Sequence, residues 1–397
     1  MLRGRYIALG ITGSIAAYKA ADLASKLTQA GALVDAMMTE PATRFLTPLT
    51  LRSLTGRAVF IDMFDVNSEL AEEHVEIARR ADAVIVAPAS ASTIARLAQG
   101  AAEDVVSLTV LATQAPVLIA PAMDNQMFEN AATQANLETL RQRGYVIVGP
   151  AEGRLASGRT GRGRLVETET LIGALRYELG RRNGGLAGRR IVVTAGGTRE
   201  PIDPVRFISN YSSGKMGYAI AEAARDRGAE VTLISTASLP VPYGVALVPV
   251  QTVAEMRDAV LAATKHADGL IMAAAVSDYS PAEVAGRKVK KGPDHKSIEL
   301  ERNADFLLEI SGPAIKIGFA AETHDLVENA EKKLREKGLA FIVANDVTAP
   351  GSGFATDTNQ VTILDASGGR EDLPLMSKYD VALRILDRLA TLLSERP

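Results

Sequence analysis

The chain has 397 residues, of which 47% are hydrophobic, and its formal net charge is −3. This length favours two domains, and the composition is typical of a packed α/β protein rather than a disordered one. The small negative charge provides no basic surface for nucleic acid, and no apolar run is long enough to span a membrane. We therefore expect a cytoplasmic protein with neither nucleic acid nor a membrane as partner.

The sequence contains no cysteine and four scattered histidines. This excludes disulfides, thiolate catalysis and cysteine-ligated metals, and it argues against a structural zinc site. Any chemistry must come from carboxylates, histidine, lysine, hydroxyls, amides or a bound cofactor.

In the first half, short apolar runs bounded by turn signals predict strands, and helical patterns lie between them. This alternation predicts repeated β-α units around a mainly parallel sheet. The predicted strands cover residues 6–10, 34–39, 83–87, 117–120 and 145–148, and the clearest helices cover 15–29, 70–80 and 91–99.

Several polar groups follow these strands. Gly10-Ile-Thr-Gly-Ser14 ends the first strand and opens a helix, which suits a phosphate. It lacks the G-x-G-x-x-G spacing, so a dinucleotide is not favoured. Thr39, Ser90, Ser92 and Thr93 follow other strands, at the edge where open α/β sheets bind ligands. Each hydroxyl alone is more commonly a helix cap, but together they favour a phosphate-bearing cofactor.

Three further features are candidates for chemistry in this half. His74 lies in an acidic stretch and is either a base or a partly exposed helix residue. The run 121–127, PAMDNQM, places a carboxylate and amides after a strand. Residues 153–165 combine four glycines with four arginines, as in a mobile cationic lid over an anionic substrate or a flexible surface excursion.

The polar, glycine-rich stretch 180–188 is the best linker. After it the alternation restarts, with strands predicted at 191–194, 231–235, 269–273, 315–319, 341–344 and 361–364. We therefore expect an α/β protein with two doubly wound, Rossmann-like domains.

The segment 191–217 joins a strand to a glycine turn and then to the helix predicted at 216–227. A glycine turn lets backbone N–H groups approach a phosphate, and a helix N-terminus favours an anion. An ordinary strand–turn–helix corner is the alternative. The polar residues of the segment are Arg206, Asn210, Ser212, Ser213 and Lys215. Tyr211 and Lys215 make a Y-x-x-x-K, but this pair follows the glycine turn too soon for a short-chain dehydrogenase.

Longer motifs carry a family resemblance. GITGSIAAYKA from Gly10, the His74 region, PASASTIARLAQG from Pro88, PAMDNQM and the GRG-containing flap resemble the flavin-dependent phosphopantothenoylcysteine decarboxylases. AGGTREPIDPVRFISNYSSGKMG from Ala195, AAAVSDY from Ala273, the lysine cluster 288–291, GFAAET from Gly318 and ANDV from Ala344 resemble phosphopantothenate–cysteine ligase. Nearly the whole chain is covered, in the order of the bacterial bifunctional coenzyme A biosynthesis proteins.

The resemblance implies a flavodoxin-like decarboxylase domain over residues 1–182, a linker at 183–188 and a nucleotide-binding ligase domain over 189–397. FMN is expected in the first domain, at Gly13, Ser14, Ile15, Thr39, Ser90, Ser92, Thr93, Ala122 and Met123. His74, Asp124 and Ser157 match catalytic positions. The family reaction oxidises the substrate thiol to a thioaldehyde, releases carbon dioxide, and reduces the enethiol to give 4′-phosphopantetheine.

Two departures from the family pattern affect this domain. Asp124 replaces an asparagine, and Ser157 replaces a proton-donating cysteine. An aspartate could bind the substrate carboxylate if protonated, or act through Asn125. Serine is a poorer acid than a thiol, so the final protonation is the step most affected. An impaired flavin domain that mainly supports assembly is therefore the alternative.

For the second domain, the resemblance implies that CTP activates 4′-phosphopantothenate as an acyl-cytidylate, which the cysteine amine then attacks. Lysines and a divalent cation, Mg²⁺ or Mn²⁺, are required because two anions, CTP and 4′-phosphopantothenate, must approach each other. The metal ligands are unknown. Lys288 and Asn210 match catalytic positions, and Arg206, Asn210 and Ala275 are expected to bind substrate. The expected nucleotide site comprises Gly196, Gly197, Met272, Ala273, Ala274, Asp278, Lys288, Asn303, Ala304, Asp305, Phe306, Phe319, Lys333 and Lys337.

Without the family, Lys332, Lys333, Arg335 and Lys337 would be read as an exposed helix face. The resemblance also implies a homo-oligomer, with trimeric flavin domains and dimeric ligase domains in a dodecamer-like assembly. An unrelated nicotinamide oxidoreductase that uses both sheets is the remaining alternative.

Overall fold

The computed structural model describes residues 1–62, 73–290, 297–322, 326–346, 351, 353 and 355–395. The chain divides into two compact units, Met1–Leu179 and Gly180–Pro397. None of the helices in this described part combines the length and the apolar character that crossing a membrane requires.

Unit 1 is built on a six-stranded parallel sheet with the order β3-β2-β1-β4-β5-β6. Its strands are β1 (Tyr6–Ile11), β2 (Leu33–Met38), β3 (Val59–Phe60), β4 (Ala83–Ala89), β5 (Val117–Pro121) and β6 (Val146–Ile147). An antiparallel hairpin, β7 (Ala151–Arg154) and β8 (Thr160–Arg164), follows the sheet. We call the segment 151–164 the flap.

The helices of unit 1 connect these strands. They are α1 (Tyr18–Gln29), α2 (Pro48–Thr55), α3 (Glu73–Arg80), α4 (Ala91–Gln99), α5 (Val105–Ala112), α6 (Asn125–Glu129), α7 (Ala131–Gln142) and α8 (Thr168–Asn183), with short 3₁₀ turns at Ile15–Ala17 and Glu40–Arg44. The chain order reverses between β1 and β4, so the sheet has its switch point there. Of the helix predicted at 70–80, residues 70–72 lie outside the described residues.

Unit 2 contains an eight-stranded sheet with the order β13-β12-β9-β14-β17-β18-β20-β21. The first six strands are parallel, and the last two pair antiparallel at one edge. The strands are β9 (Arg190–Ala195), β10 (Glu200–Pro201), β11 (Phe207–Ile208), β12 (Glu230–Ser235), β13 (Ala246–Pro249), β14 (Gly269–Met272), β15 (Tyr279–Pro281), β16 (Leu300–Arg302), β17 (Ile315–Glu322), β18 (Phe341–Asp346), β19 (Thr358–Asn359), β20 (Val361–Asp365), β21 (Arg370–Asp372) and β22 (Met376–Ser377).

The helices of unit 2 are α9 (Lys215–Asp226), α10 (Val253–Thr264), α11 (Leu326–Glu336) and α12 (Lys378–Ser394), with a 3₁₀ turn at Phe306–Leu308. β14 is buried along its whole length and β9 along all but its first residue, as expected where helices cover both faces of a parallel sheet. The switch point lies between β9 and β14. The predicted pair of doubly wound domains is confirmed.

Residues 180–188, expected to be a flexible linker, are packed within unit 2. Gly180 to Asn183 continue α8, and a Cβ on Gly180 would lie 2.3 Å from the Asp226 carbonyl oxygen. Leu186 is 1% exposed and belongs to a core cluster with Ile191 and Ala221. Folding of unit 2 therefore uses side chains from before its first strand.

Candidate functional sites

A cavity of about 510 Å³ lies in unit 1 beside the segments that follow β1 and β5. It brings together four residues expected to bind FMN, which are Ser14, Ile15, Ala122 and Met123, and two expected catalytic residues, Asp124 and Ser157. Ala16, Tyr18, Lys19, Arg154, Leu155, Ala156, Gly163, Arg164 and Leu165 complete the lining. The cavity therefore has apolar walls and three cationic side chains.

The expected hydroxyls at the ends of β2 and β4 are not part of this lining. Ser90 caps α4, accepting a hydrogen bond from Thr93 N at 3.3 Å, and Thr93 is buried. Thr39 is also buried, and its N–H donates to the Ile11 carbonyl at 3.0 Å. Ser92 is exposed. The cap interpretation of Ser90 is confirmed, whereas its cofactor role stays a prediction.

Thr12 links these strand ends, although the sequence did not single it out. Its buried hydroxyl donates to the Pro88 carbonyl at 2.7 Å and accepts from Ser90 N at 2.9 Å. Gly13 follows it, and a Cβ there would lie 2.7 Å from Pro41 Cβ. The close packing at the switch point thus fixes the two loops that precede Ser14 and Ser90.

The flap is attached to the segment that follows β5 by backbone and side-chain hydrogen bonds. Met123 N donates to the Gly163 carbonyl at 2.9 Å, and Asn125 Oδ1 accepts from Arg162 N at 2.9 Å. A Cβ on Gly161 would lie 2.8 Å from Asn125 Cγ, and one on Gly163 would lie 2.2 Å from the Met123 carbonyl oxygen. The two glycines of the GRG motif are therefore required for this close approach.

Ser157 and Asp124 form a direct pair at the cavity. The Ser157 hydroxyl donates to Asp124 Oδ2 at 2.7 Å, and Asp124 Oδ1 accepts from Gln126 N at 3.1 Å at the start of α6. The hydrogen bond from Ser157 is the main reason that the pKa of Asp124 lies below its usual value, and the Gln126 N–H adds to it. Asp124 is therefore ionised at neutral pH.

Lys19 and His74 differ in their placement. Lys19 lines the cavity, and its ammonium donates to Glu167 at 3.0 Å and to the Leu165 carbonyl at 3.4 Å. His74 is half-buried in the first turn of α3 and is not part of the cavity lining. Because crossover helices run antiparallel to the strands they follow, the first turn of α3 lies toward the carboxyl edge of the sheet.

The larger cavity of unit 2, about 620 Å³, contains most of the expected nucleotide site. The expected residues in its lining are Met272, Ala274, Ala275, Asp278, Asn303, Ala304, Asp305, Phe306, Phe319, Lys333 and Lys337. Lys332 also lines it, whereas Arg335 pairs with Glu331 at 3.7 Å. The lysines of α11 that a simple reading assigns to an exposed face therefore border a cavity.

Hydrogen bonds fix the polar wall of this cavity. Asn303 N donates to the Asp278 carbonyl at 2.8 Å, and Asn303 Nδ2 donates to the Ser277 carbonyl at 2.9 Å. Lys337 pairs with Asp305 at 2.9 Å. The loop after β14 is thus held against the segment that leads to the 3₁₀ turn at Phe306–Leu308.

Asn210 lies against the glycine turn after β9. Its Nδ2 donates to the Ala275 carbonyl at 2.7 Å, and a Cβ on Gly197 would lie 2.2 Å from its Oδ1. Ala275 N donates to the Gly196 carbonyl at 2.8 Å. Gly196 and Gly197 therefore bring the Asn210 amide to the switch point. Neither glycine lines the larger cavity of unit 2 or the smaller cavity that adjoins it.

A smaller cavity of about 110 Å³ lies at the N-terminus of α9 and shares Ala274, Ala275, Phe319 and Ala321 with the larger one. The expected Ala273 also lines it. Its polar and glycine lining comprises Ser212, Ser213, Gly214, Lys215, Gly217, Asn345, Gly353, Asn359 and Lys378. A Cβ on Gly217 would lie 2.5 Å from Ala195 Cβ, so this glycine lets α9 approach the end of β9.

Lys288 is exposed and is not among the residues that line either cavity. The segment that carries it is held by buried Asp203, whose Oδ2 accepts from Val289 N at 3.1 Å. Arg206 pairs with Asp203 and donates to the Val289 carbonyl at 3.0 Å. The Arg206 guanidinium is the main reason that the pKa of Asp203 is well below its usual range.

Within the ranges described, no three His, Asp or Glu side chains are grouped so that they could hold a metal ion. The residues that would bind a divalent cation therefore stay unidentified.

Comparison with known proteins follows the same division of the chain. Residues 1–179 match the family described as Flavoprotein, and residues 186–393 match the family described as DNA/pantothenate metabolism flavoprotein C-terminal domain. A coenzyme A biosynthesis bifunctional protein CoaBC from Bacillus subtilis (strain 168) is 46% identical over 398 residues, covering 99% of this chain and 98% of the relative.

The protein of the same name from Escherichia coli (strain K12) is 44% identical over 405 residues, covering 100% of this chain and 99% of the relative. The chain belongs to the family of bifunctional coenzyme A biosynthesis proteins. A solved C-terminal domain of a protein of that name is 43% identical, with a TM-score of 0.46, and covers 54% of this chain and 100% of the solved chain.

Family membership confirms the recognition made from the motifs. The similarity extends over both halves of the chain, so the alternative of an unrelated nicotinamide oxidoreductase is wrong. Sequence reasoning missed Thr12, Asp203 and Lys378. Only Asp203 carried a local signal: its Oδ1 accepts from Val205 N at 2.8 Å, a turn that Asp-Pro favours.

Proposed function

We propose that unit 2 ligates cysteine to 4′-phosphopantothenate with CTP and that unit 1 decarboxylates the product with FMN, forming 4′-phosphopantetheine. The observation that carries this proposal is the division of the expected residues between two cavities. Four of the residues expected to bind FMN line the cavity of unit 1, and most of the residues expected to bind the nucleotide line the larger cavity of unit 2. Residues 1–182 and 189–397 are the proposed catalytic domains, joined by 183–188.

The cavity of unit 1 fits FMN by size and by chemistry. Its volume lies in the range of cofactor sites, and Ile15, Ala122 and Met123 offer an apolar wall for a flat ring. We propose that Ser14, with Gly13, Thr39, Ser90, Ser92 and Thr93, binds toward the phosphate end. When bound, FMN supplies a two-electron acceptor and donor.

His74 is proposed to take part as the catalytic histidine of the decarboxylase. Its position at the start of α3 supports this role, because the first turn of a crossover helix lies at the ligand-binding edge of the sheet. In the trimer expected for this domain, the exposed side chains of Ile15 and Tyr18 are suited to contact with another copy.

Asp124 is proposed to orient Ser157 rather than to bind the substrate carboxylate. Both of its carboxylate oxygens already accept hydrogen bonds, and its negative charge would repel a second carboxylate. Protonated Asp124 is also disfavoured, because its pKa is lowered. The same charge favours the second candidate for this unit, an impaired flavin domain that mainly supports assembly.

For the ligase, we propose that Asp278, Asn303, Phe306 and Phe319 contact the nucleoside, with the backbone of Met272 to Ala275 beside them. Lys333 and Lys337 border the same cavity and supply positive charge. Their charge would offset the repulsion between the triphosphate and the incoming carboxylate. A divalent cation, Mg²⁺ or Mn²⁺, would enter with the triphosphate, as is usual for such ions.

Asn210 and Ala275 are proposed to hold the acyl-cytidylate, and Arg206 and Lys288 to act from the neighbouring segment. The hydrogen bond from Asn210 to Ala275 supports the first role, because it brings an amide to the point where the two cavities meet. Asp203 couples Arg206 to the segment of Lys288. A dimer of ligase domains is also proposed, and exposed Phe207 and Tyr211 offer it an apolar surface.

The test uses the full chain with 4′-phosphopantothenate, cysteine, CTP and Mg²⁺. We expect pyrophosphate release that requires phosphopantothenate, followed by loss of carbon dioxide and formation of 4′-phosphopantetheine, measured by product mass. A protein that makes phosphopantothenoylcysteine but releases no carbon dioxide would support the scaffolding candidate. Pyrophosphate release that ignores phosphopantothenate would contradict the ligase assignment.

A further inference from the structure

Lys378, the first residue of α12, is a buried lysine with no role in the function proposed above. The residue is 5% exposed. Its ammonium donates to the Gly353 carbonyl at 2.9 Å and to the Thr356 carbonyl. A buried ammonium must be hydrogen-bonded, so these two carbonyls fix the side chain in one position.

The same segment is tied to the first turn of α9. Asp357 pairs with Lys215 at 2.7 Å, and the Lys215 ammonium also donates to the Ala355 carbonyl at 2.9 Å. Lys378 N donates to the Asp357 carbonyl at 3.0 Å. The segment 353–357 therefore contacts both lysines. Lys378 donates to its carbonyls from the buried side, and Lys215 contacts Ala355 and Asp357 from α9.

These contacts surround the smaller cavity of unit 2. Lys215 and Lys378 both line it, together with Ser212, Ser213 and Asn345. The cavity lies at the N-terminus of α9, where the helix dipole favours an anion, and it adjoins the proposed nucleotide cavity, with which it shares Ala274 and Phe319. A phosphate group here would meet the helix end and the Lys215 ammonium.

We propose that Lys378 is a positioning residue of the ligase: it fixes the 355–357 segment so that Lys215 and the first turn of α9 present one preformed cationic surface to a substrate phosphate. The phosphate belongs either to CTP or to 4′-phosphopantothenate. This inference rests on the proposed ligase activity and adds to it a residue that acts through Lys215.

Electrostatics support this geometry. Burial is the main reason that the pKa of Lys378 is lowered, nearby Lys215 lowers it further, and Asp357 opposes the change. Asp357 and Lys215 are the charged groups that face it, from the segment and from α9 respectively. Phosphate affinity should fall as pH rises through this lowered pKa, whereas bound phosphate should favour the charged lysine.

The main experiment measures binding of Mg·CTP and, separately, of 4′-phosphopantothenate to the full chain by calorimetry. Lys378→Gln removes the charge, and Lys378→Met removes the charge and the hydrogen bonds. Lys265→Met makes the same change at an exposed lysine as a control. We expect roughly tenfold weaker binding of one ligand in both Lys378 variants, with the larger loss in Met, because hydrogen bonds to charged groups contribute strongly. The ligand that loses affinity identifies the phosphate.

A double-mutant cycle tests whether Lys378 acts through Lys215. The Lys215→Gln, Lys378→Gln double variant should bind no more weakly than the worse single variant, whereas independent effects would add. Additive losses, or unchanged affinity for both ligands in folded Lys378 variants, would overturn the inference.

A wild-type measurement covers the case in which the variants do not fold. The affinity of the wild-type protein for the phosphate ligand should decline at a pH below the range in which an ordinary lysine titrates. An affinity that does not change with pH would overturn the inference. If the wild-type protein binds neither ligand, the proposed ligase function itself is wrong, which is a separate outcome.

Discussion

Replacing Gly163 by alanine should detach the flap from the segment that follows β5. Gly163 has φ of +154°, and a Cβ there would lie 2.2 Å from the Met123 carbonyl oxygen, whereas real Cβ contacts stay beyond 3.0 Å. Relief of this clash must stretch or break the 2.9 Å hydrogen bond from Met123 N to the Gly163 carbonyl. Backbone strain of about 1–3 kcal/mol and a lost hydrogen bond of about 1 kcal/mol give a cost of roughly 2–4 kcal/mol to the attached flap.

Gly158→Ala is the matched control, because Gly158 also has positive φ, +83°, but nothing lies within 4 Å of the added Cβ. It should cost only about 1–2 kcal/mol of strain at the flap tip. Bound flavin per chain after gel filtration and the flavin dissociation constant are the readouts. We expect Gly163→Ala to lose flavin while keeping CTP-dependent ligation. Equal flavin retention in the two variants would refute the reasoning.

Three further predictions concern both units. Ser157→Cys should speed reoxidation of the reduced flavin and Ser157→Ala should slow it, measured by rapid-mixing absorbance; identical rates would make Ser157 a bystander. Lys288→Gln should slow pyrophosphate release without affecting decarboxylation of supplied phosphopantothenoylcysteine, and unchanged ligation would remove Lys288 from the mechanism. A fragment that starts at residue 180 should be more stable to urea than one that starts at 187, by roughly 2–3 kcal/mol, because only the longer one keeps buried Leu186; equal midpoints would contradict this.

The pairing of Ser157 with its carboxylate partner also predicts a pH dependence. The pKa of Asp124 is lowered in the folded protein, so the hydrogen bond stabilises the flap fully above the ordinary aspartate pKa. Its contribution should be lost as pH falls through the lowered pKa. Flavin release should therefore rise in acid in wild type but vary less in Ser157→Ala, and parallel profiles would contradict this assignment.

Most strands of both sheets could be predicted because they contain continuous apolar runs, whereas the edge strands β3, β13 and β21 were not predicted. The prediction at 231–235 differs from β12 by one residue, and that at 117–120 differs from β5 by one residue. Residues 117–120 are all buried and residues 231–235 are all buried except Thr232, which is partly buried, so their apolar composition identifies them. The flap hairpin was not predicted as strands, since its arginines and glycines lack the apolar alternation of a strand.

The residues of the candidate sites could likewise be predicted only in part from the sequence. The run that contains Met123 was singled out because it follows a strand at the carboxyl edge of a parallel sheet, which is a general binding position, whereas Asn303 was expected only from the family resemblance. Thr12 and Lys378 were missed because their roles depend on contacts with residues 76 and 25 positions away, respectively. No local pattern specifies such pairings, which exist only after the sheet has formed.

The two departures from the family pattern are coupled in this structure. A serine hydroxyl at position 157 needs an acceptor to fix its orientation, and ionised Asp124 supplies one at 2.7 Å. An asparagine at 124 would remove the charge that makes this hydrogen bond strong, and an alanine at 157 would leave Asp124 with only the Gln126 N–H. Because the hydroxyl donates to Asp124, proton transfer from Ser157 to substrate would require the hydroxyl to turn away from its partner. The contact between Ser157 and Asp124 therefore opposes the use of the hydroxyl as an acid, and this is the physical reason to expect protonation to be the step most sensitive to these two residues.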